Sequence, residues 1–74
     1  MNNATTQVNP VLLARRMQAE MNRLGISEAR LRRRAWAWRI PRRKVETVLA
    51  GRATHLNHVH EWEWMEMVKT AWNF

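Results

Sequence analysis

The apolar residues of this chain recur only at helical steps. Leu13, Met17, Met21 and Leu24 follow one another at intervals of four, four and three, which stacks them on one face of a helix. Leu31, Ala35 and Trp38 repeat the pattern, as do Val45, Val48 and Leu49. Further on, Leu56, Trp64, Met65, Val68, Ala71 and Trp72 form a broad apolar face. No segment alternates with the two-residue period of a strand. The chain is therefore expected to be all-α, a compact four-helix domain. It has 74 residues and no cysteine, so neither a disulfide nor a thiolate metal site supplements the small core. Stability must come from helix packing or from association with a second chain.

Turn chemistry divides the pattern. Residues 1–8 are polar and aperiodic and are expected to form a flexible arm, leaving 9–74 as the folded domain. Asn9 followed by Pro10 is a helix start, with Asn as N-cap and Pro at the first helical position. Gly25 suits the left-handed residue that ends this helix, and Ile26 can fold back on the last turn. Ser27 caps a second helix, whose positive end Glu28 complements. Pro41 biases Ile40 away from helical geometry, so a turn is expected over Trp38–Ile40. A third helix then opens at Pro41, runs to Ala50 and is closed by Gly51. The fourth is expected to start at Thr54 or Asn57 and to reach about Trp72.

Charge points to function. Thirteen basic residues, eleven of them Arg, stand against six acidic ones, a net charge of +7. A small domain this basic usually meets a polyanion, and Arg favours bidentate contacts to phosphate or guanine. The charge is also clustered. From Arg30 to Lys44 there are eight basic residues and no acidic one. Arg30, Arg32, Arg33 and Arg34 are expected opposite the apolar face of the second helix, and Arg42, Arg43 and Lys44 at the start of the third. A helix that crosses the phosphate backbone, a tight turn and a helix whose first residues meet base edges require this distribution.

The stretch Ile40-Pro-Arg-Arg-Lys-Val-Glu-Thr-Val-Leu-Ala-Gly51-Arg52 resembles the recognition-helix half of the phage repressor/Cro-like (lambda-repressor-like) helix-turn-helix family. Ile40 matches the apolar residue that ends the turn, Val45 and Val48 the apolar pair three apart, and Gly51-Arg52 the closing glycine with a basic residue after it. The sequence departs from the family at three places. Arg39 stands where the family has glycine, Arg34 where it has an apolar residue, and the interval from Ile26 to Ile40 is about one turn longer. The resemblance implies base reading by Arg42, Arg43, Glu46 and Thr47. Phosphate contacts fall to Lys44 and Arg52, with Arg30, Arg32 and Arg33 gripping the backbone beside the groove. The implied protein is a sequence-specific regulator that binds double-stranded DNA as a homodimer.

Five tryptophans are many for this length. Trp38 is expected in the core. Trp36, two residues away, points elsewhere; it can sit on nucleic acid, lie exposed or cover the first helix, and packing is the favoured expectation. Trp62, Trp64, Trp72 and Phe74 cannot all fill one small core. They are expected to form a dimer interface or to complete the core, and the two readings stay open. Glu61, Glu63 and Glu66 against Lys69 make the last helix acidic, so it should face away from DNA. That suits a second subunit or another protein.

Other chemistries find little support. His55, His58 and His60 with Glu61 offer one pair at ligand spacing, His55 with His58, and no cysteine, so no metal is expected. Nor is there a nucleophile–base pair, a glycine-rich phosphate loop or a carboxylate dyad, so neither an enzyme nor a cofactor is expected. No apolar run approaches a membrane span and the start lacks a signal-peptide pattern, so the expected setting is a cytoplasm, bacterial or of a phage-infected host. Two rival functions remain: a protein-interaction module in the manner of an antitoxin or phage accessory factor that works through the last helix, and a basic amphipathic membrane binder, against which a cooperative melt in plain buffer would count.

Overall fold

The computed structural model describes residues 9–53 and 59–74. The expected N-terminal arm, and the calls on Thr54, His55, Leu56, Asn57 and His58, lie outside the described residues. Within them the chain is all-helical: α1 (Pro10–Leu24), α2 (Glu28–Trp36), α3 (Arg42–Leu49), α4 (Glu61–Thr70) and a closing 3-10 turn (Ala71–Asn73).

The boundaries follow from local chemistry. The Asn9 side chain accepts from the Leu12 N–H at 3.0 Å, and Pro10 stands at the first helical position. Gly25, at φ 71°, ends α1, and the Ile26 N–H donates to the Met21 carbonyl at 2.9 Å. Ser27 Oγ accepts from the Arg30 N–H at 3.1 Å and starts α2. α3 begins one residue later than expected. Pro41, at φ −72° and ψ 156°, is its extended N-cap rather than its first helical residue. At the other end Gly51, at φ 75°, lets the Arg52 N–H reach the Thr47 carbonyl at 3.1 Å.

The start of α4 is corrected more. His60, at φ −80° and ψ 162°, is its N-cap, so the helix begins at Glu61 and not at Thr54 or Asn57. Glu63 reaches back to accept the His60 N–H at 2.8 Å, the carboxylate half of a capping box. Glu61 and Glu63 in the first turn also complement the positive helix end.

α1 packs against α3 and α4, and α2 against α3, α4 and the closing turn, so α3 and α4 bridge the other two. The core draws on every helix: Leu13, Met17 and Met21 from α1, Leu31 and Ala35 from α2, Val45, Val48 and Leu49 from α3, and Trp64, Met67 and Val68 from α4. Ile26, Ile40, Ala53 and Ala71 plug the junctions. The Gln18 side-chain amide donates to the Leu49 carbonyl at 2.8 Å and so ties α1 to the otherwise open end of α3.

The tryptophans sort differently from expectation. Trp64 is fully buried at the centre and is unavailable to a dimer interface; its indole N–H has no acceptor among the described residues. Trp38, expected in the core, is 42% exposed, because the chain leaves helical geometry just before it and turns its ring outward. Trp36, expected to pack, is 65% exposed, as is Trp62.

Arg39 is the only non-glycine residue with positive φ among the described residues, at 63°. It ends α2 in the left-handed conformation. The Ile40 N–H donates to the Ala35 carbonyl at 3.0 Å and the Arg39 N–H to the Trp36 carbonyl at 2.8 Å, the paired bonds of a Schellman closure. The left-handed region costs an L-residue roughly 1–2 kcal/mol. Glycine has no such penalty, though it gives up more freedom on folding. Arg39→Gly should therefore raise stability by about 0.5–1 kcal/mol, or several degrees in Tm. A thermal melt with unchanged or lowered Tm would contradict the strain at this turn. Trp64→Ala should cost about 3–5 kcal/mol, whereas Trp62→Ala should stay within about 0.5 kcal/mol. Denaturant titration of the two variants separates core from surface, and equal losses would refute that division.

Candidate nucleic-acid interface

α2, the Arg39 turn and α3 carry the basic cluster, and the fold divides it into two groups. One group surrounds the turn and the start of α3. Arg33, Arg39, Arg42 and Arg43 are exposed, and Arg32 is half-buried. Because Val45, Val48 and Leu49 face the core, Arg42, Arg43, Glu46, Thr47 and Ala50 form one outward ridge of α3. All four expected base-reading residues lie on it. Lys44 sits half-buried on the flank of α3, and Arg52 is exposed just beyond its end.

The ridge has usable donor and acceptor chemistry. Arg42 Nε lies 3.1 Å from a Glu46 carboxylate oxygen one turn on. Exposed pairs at this spacing are worth only about 0.3–0.5 kcal/mol, so Arg42 can exchange Glu46 for a stronger acceptor. Glu46 can accept from an exocyclic amine such as that of cytosine. The Thr47 hydroxyl donates to the Arg43 carbonyl at 2.9 Å, so its oxygen retains acceptor capacity. Arg43 has the extended guanidinium fork suited to guanine. Pro41 gives α3 no side-chain cap, so its positive end is not neutralised by the chain's own cap. On α2, Arg32 Nη1 lies 3.0 Å from Glu28, another exchangeable i,i+4 pair.

The second group faces the C-terminal turn. The Arg30 guanidinium lies 4.6 Å from the centroid of the Trp72 ring and reaches the Trp72 carbonyl at 3.5 Å. Arg33 spans both groups: it is exposed beside the turn, yet its Nη1 donates to the Phe74 backbone oxygen at 3.2 Å. Arg34, expected on the solvent-facing basic side, is buried. Its Nε donates to the Thr70 hydroxyl at 2.7 Å, and its guanidinium lies 5.0 Å from the Trp38 ring and 4.9 Å from the Phe74 ring. Aromatic faces attract the cation and shield it, which is how an arginine occupies a position that otherwise suits an apolar side chain. Arg30 is thus turned toward the C-terminal strap rather than toward α3.

The strap also explains Trp72 and Phe74. The Trp72 indole N–H donates to the Leu24 carbonyl at 2.9 Å, and its ring lies against Gly25, 3.7 Å from where a Cβ would stand. Both aromatic residues remain partly exposed, yet both are engaged within the chain. Away from the interface, Arg23 binds the Glu20 carboxyl and holds its pKa below the ordinary value. Among the described residues no group of three or more His, Cys, Asp or Glu is placed to hold a metal ion, and no helix is long and apolar enough to cross a membrane.

The charge pattern found the ridge and counted Arg39 within the cluster, whereas for Trp36 packing was favoured over exposure or a place on nucleic acid, and the residue is exposed. Trp36 was set apart only by its two-residue offset from Trp38. Comparison with protein-family models, curated proteins and solved structures finds no match.

The arginine partition is testable in stability. Arg34→Ala removes a buried charge-assisted hydrogen bond and two ring contacts and should cost about 2–3 kcal/mol. Arg33→Ala should cost less than about 0.5 kcal/mol. Urea melts of both variants check the contrast, and a neutral Arg34→Ala would place that side chain back at the surface.

Proposed function

We propose that this chain is a helix-turn-helix regulator that binds double-stranded DNA sequence-specifically, with α3 in the major groove. The observation that carries the reading is the outward ridge of Arg42, Arg43, Glu46 and Thr47 behind an arginine-rich turn, with no acidic residue between Arg30 and Lys44. The turn supports the same reading. Arg39 adopts the left-handed conformation that glycine supplies at this place in the phage repressor/Cro-like pattern, and buried Arg34 occupies that pattern's apolar position. Arg32 and Arg33 on α2, with Lys44 and Arg52 flanking α3, are assigned to phosphates. Arg30 and Arg33 take that role only where Trp72 and Phe74 release them.

A homodimer through the C-terminal region rests mainly on Trp62, since Trp64 is in the core and Trp72 and Phe74 are held by arginines. Pairing is therefore proposed to form on DNA, where two half-sites bring the protomers together, rather than in free solution. The second reading, a protein-interaction module, is favoured by the exposure of Trp62 on an acidic helix. It predicts weak, sequence-blind DNA binding that disappears at physiological salt.

Selection of bound sequences from random duplex DNA tests the proposal, and an enriched motif is expected. On that motif, Arg43→Ala should lose about 1–3 kcal/mol and relax preference at one position, while Arg32→Ala should weaken all sequences alike and lower the salt slope by about one unit. No enriched sequence, or equal losses for Arg43→Ala on selected and random duplexes, would remove the specific reading.

A further inference from the structure

We propose that the groove between α2 and the start of α3 is a nucleobase-stacking site, which seats one unpaired base of a single-stranded nucleic acid on Trp36. The inference goes beyond duplex reading by α3. In a duplex the faces of the bases are stacked on one another and only their edges are offered to a protein. An exposed indole offers a face, and its natural complement is a base whose own face is free.

Trp36 is the last residue of α2 and is 65% exposed. Its setting differs from that of the neighbouring aromatics. Trp72, Trp38 and Phe74 each carry an arginine on the ring, whereas no cation covers Trp36 among the described residues. The groove beside it has a volume of about 330 Å³ and is lined by Arg32, Arg33, Trp36, Ile40 and Arg42. Trp36 and Ile40 supply apolar surface, and three arginine side chains line the same groove. This combines an aromatic platform with cations that can track the phosphates on either side of a stacked base.

Each guanidinium is held by a partner that a phosphate can displace. Arg32 pairs with Glu28 at 3.0 Å and Arg42 with Glu46 at 3.1 Å, both between partly or well exposed side chains. Arg33 donates to a backbone oxygen at 3.2 Å. The groove opens beside the first turn of α3, so the site adjoins the proposed duplex ridge and shares Arg42 with it. A strand opened next to a bound duplex would lie within its reach.

The test uses the full chain and labelled oligonucleotides of about 12 residues, long enough to cross a groove of this kind. Anisotropy is measured with oligothymidylate, oligouridylate and an abasic DNA strand of equal length. The wild-type chain should bind a base-bearing strand about tenfold more tightly than the abasic one, the order expected of one base–aromatic stack. Trp36→Ala should abolish that difference, and Trp36→Phe should keep most of it. The tighter of the two base-bearing strands identifies DNA or RNA as the source. Equal affinity for abasic and base-bearing strands, no single-strand binding at all, or an unaffected Trp36→Ala variant would each overturn the proposal. Because Trp36 is exposed, its replacement should leave the melt unchanged, which keeps loss of binding distinct from loss of fold. Duplex selection and Arg43→Ala report on the α3 ridge instead. Failure there, with Trp36-dependent binding of single strands retained, would remove the duplex reading and leave this one standing.

Discussion

The closure of α2 on the Ala35 carbonyl sets the geometry of everything after it. That oxygen accepts the N–H groups of both Trp38, at 2.9 Å, and Ile40, at 3.0 Å. The double acceptance requires a left-handed residue between them, and the sequence supplies Arg39. Three consequences follow. Ile40 is drawn into the core, Trp38 is swung out of it, and Pro41 leaves in an extended conformation that redirects the chain into α3. The outward direction of Arg42 and Arg43 is thus fixed by backbone hydrogen bonds and a buried isoleucine, not by contacts of the arginines themselves. A surface built in this way has its backbone fixed in advance, and only exchangeable side-chain pairs such as Arg32–Glu28 and Arg42–Glu46 would have to open for a new partner.

A second constraint is the small size of the core. With no disulfide and four short helices, the fold gains from burying whatever large side chains reach its centre. Trp64 does so even though its N–H is left without an acceptor among the described residues. Leaving a buried donor unmade costs about 1–3 kcal/mol, less than the roughly 4–6 kcal/mol gained by taking an indole's 150–250 Å² out of water. The arginine–aromatic stack adds a layer outside the core. Arg34 between Trp38 and Phe74, and Arg30 on Trp72, join α2 to the end of the chain across more than 35 residues of sequence. The aromatic residues near the C-terminus thereby become part of the domain itself.

Most of the fold was legible because it is written in local rules. Asn9-Pro10, Gly25, Ser27 and Gly51 each act within a few residues, and the structure places each at the helix end its chemistry suits. The inward stripe of α3 was legible for the same reason. What was not legible is non-local. Nothing in the neighbourhood of Arg34 announces that Thr70 and Phe74 will meet it, so its charge argued for solvent. Trp38 shares a helical face with Leu31 and Ala35 only if the helix continues, and the left-handed Arg39 shows that it does not. The helical pattern did separate Trp64, on the apolar face, from Trp62, off it, and their burial agrees; what it did not reveal is that Trp72 and Phe74 would be engaged by arginines of α2. The start of α4 was misplaced because histidine is an uncommon N-cap, and the signal lay in Glu63 three residues on.

The partition of aromatic residues bears directly on assembly. A stable interface buries roughly 800 Å² on each partner. One tryptophan supplies about 150–250 Å² of that. On α4 the free apolar surface is Trp62 with part of Met65, bordered by Glu61, Glu63 and Glu66. Two copies meeting face to face there would also bring their acidic residues together. A pairing through α4 alone is therefore short of area and opposed by charge. A homodimer would need an added source of binding energy, and under the proposed function a nucleic acid that holds both copies by their basic faces would be one. Neutralisation of the arginines by phosphates lowers the repulsion between two +7 chains, and the effective concentration of neighbouring half-sites replaces the missing contact area. On the proposed reading, pairing of two copies would thus depend on the basic surface more than on the acidic helix.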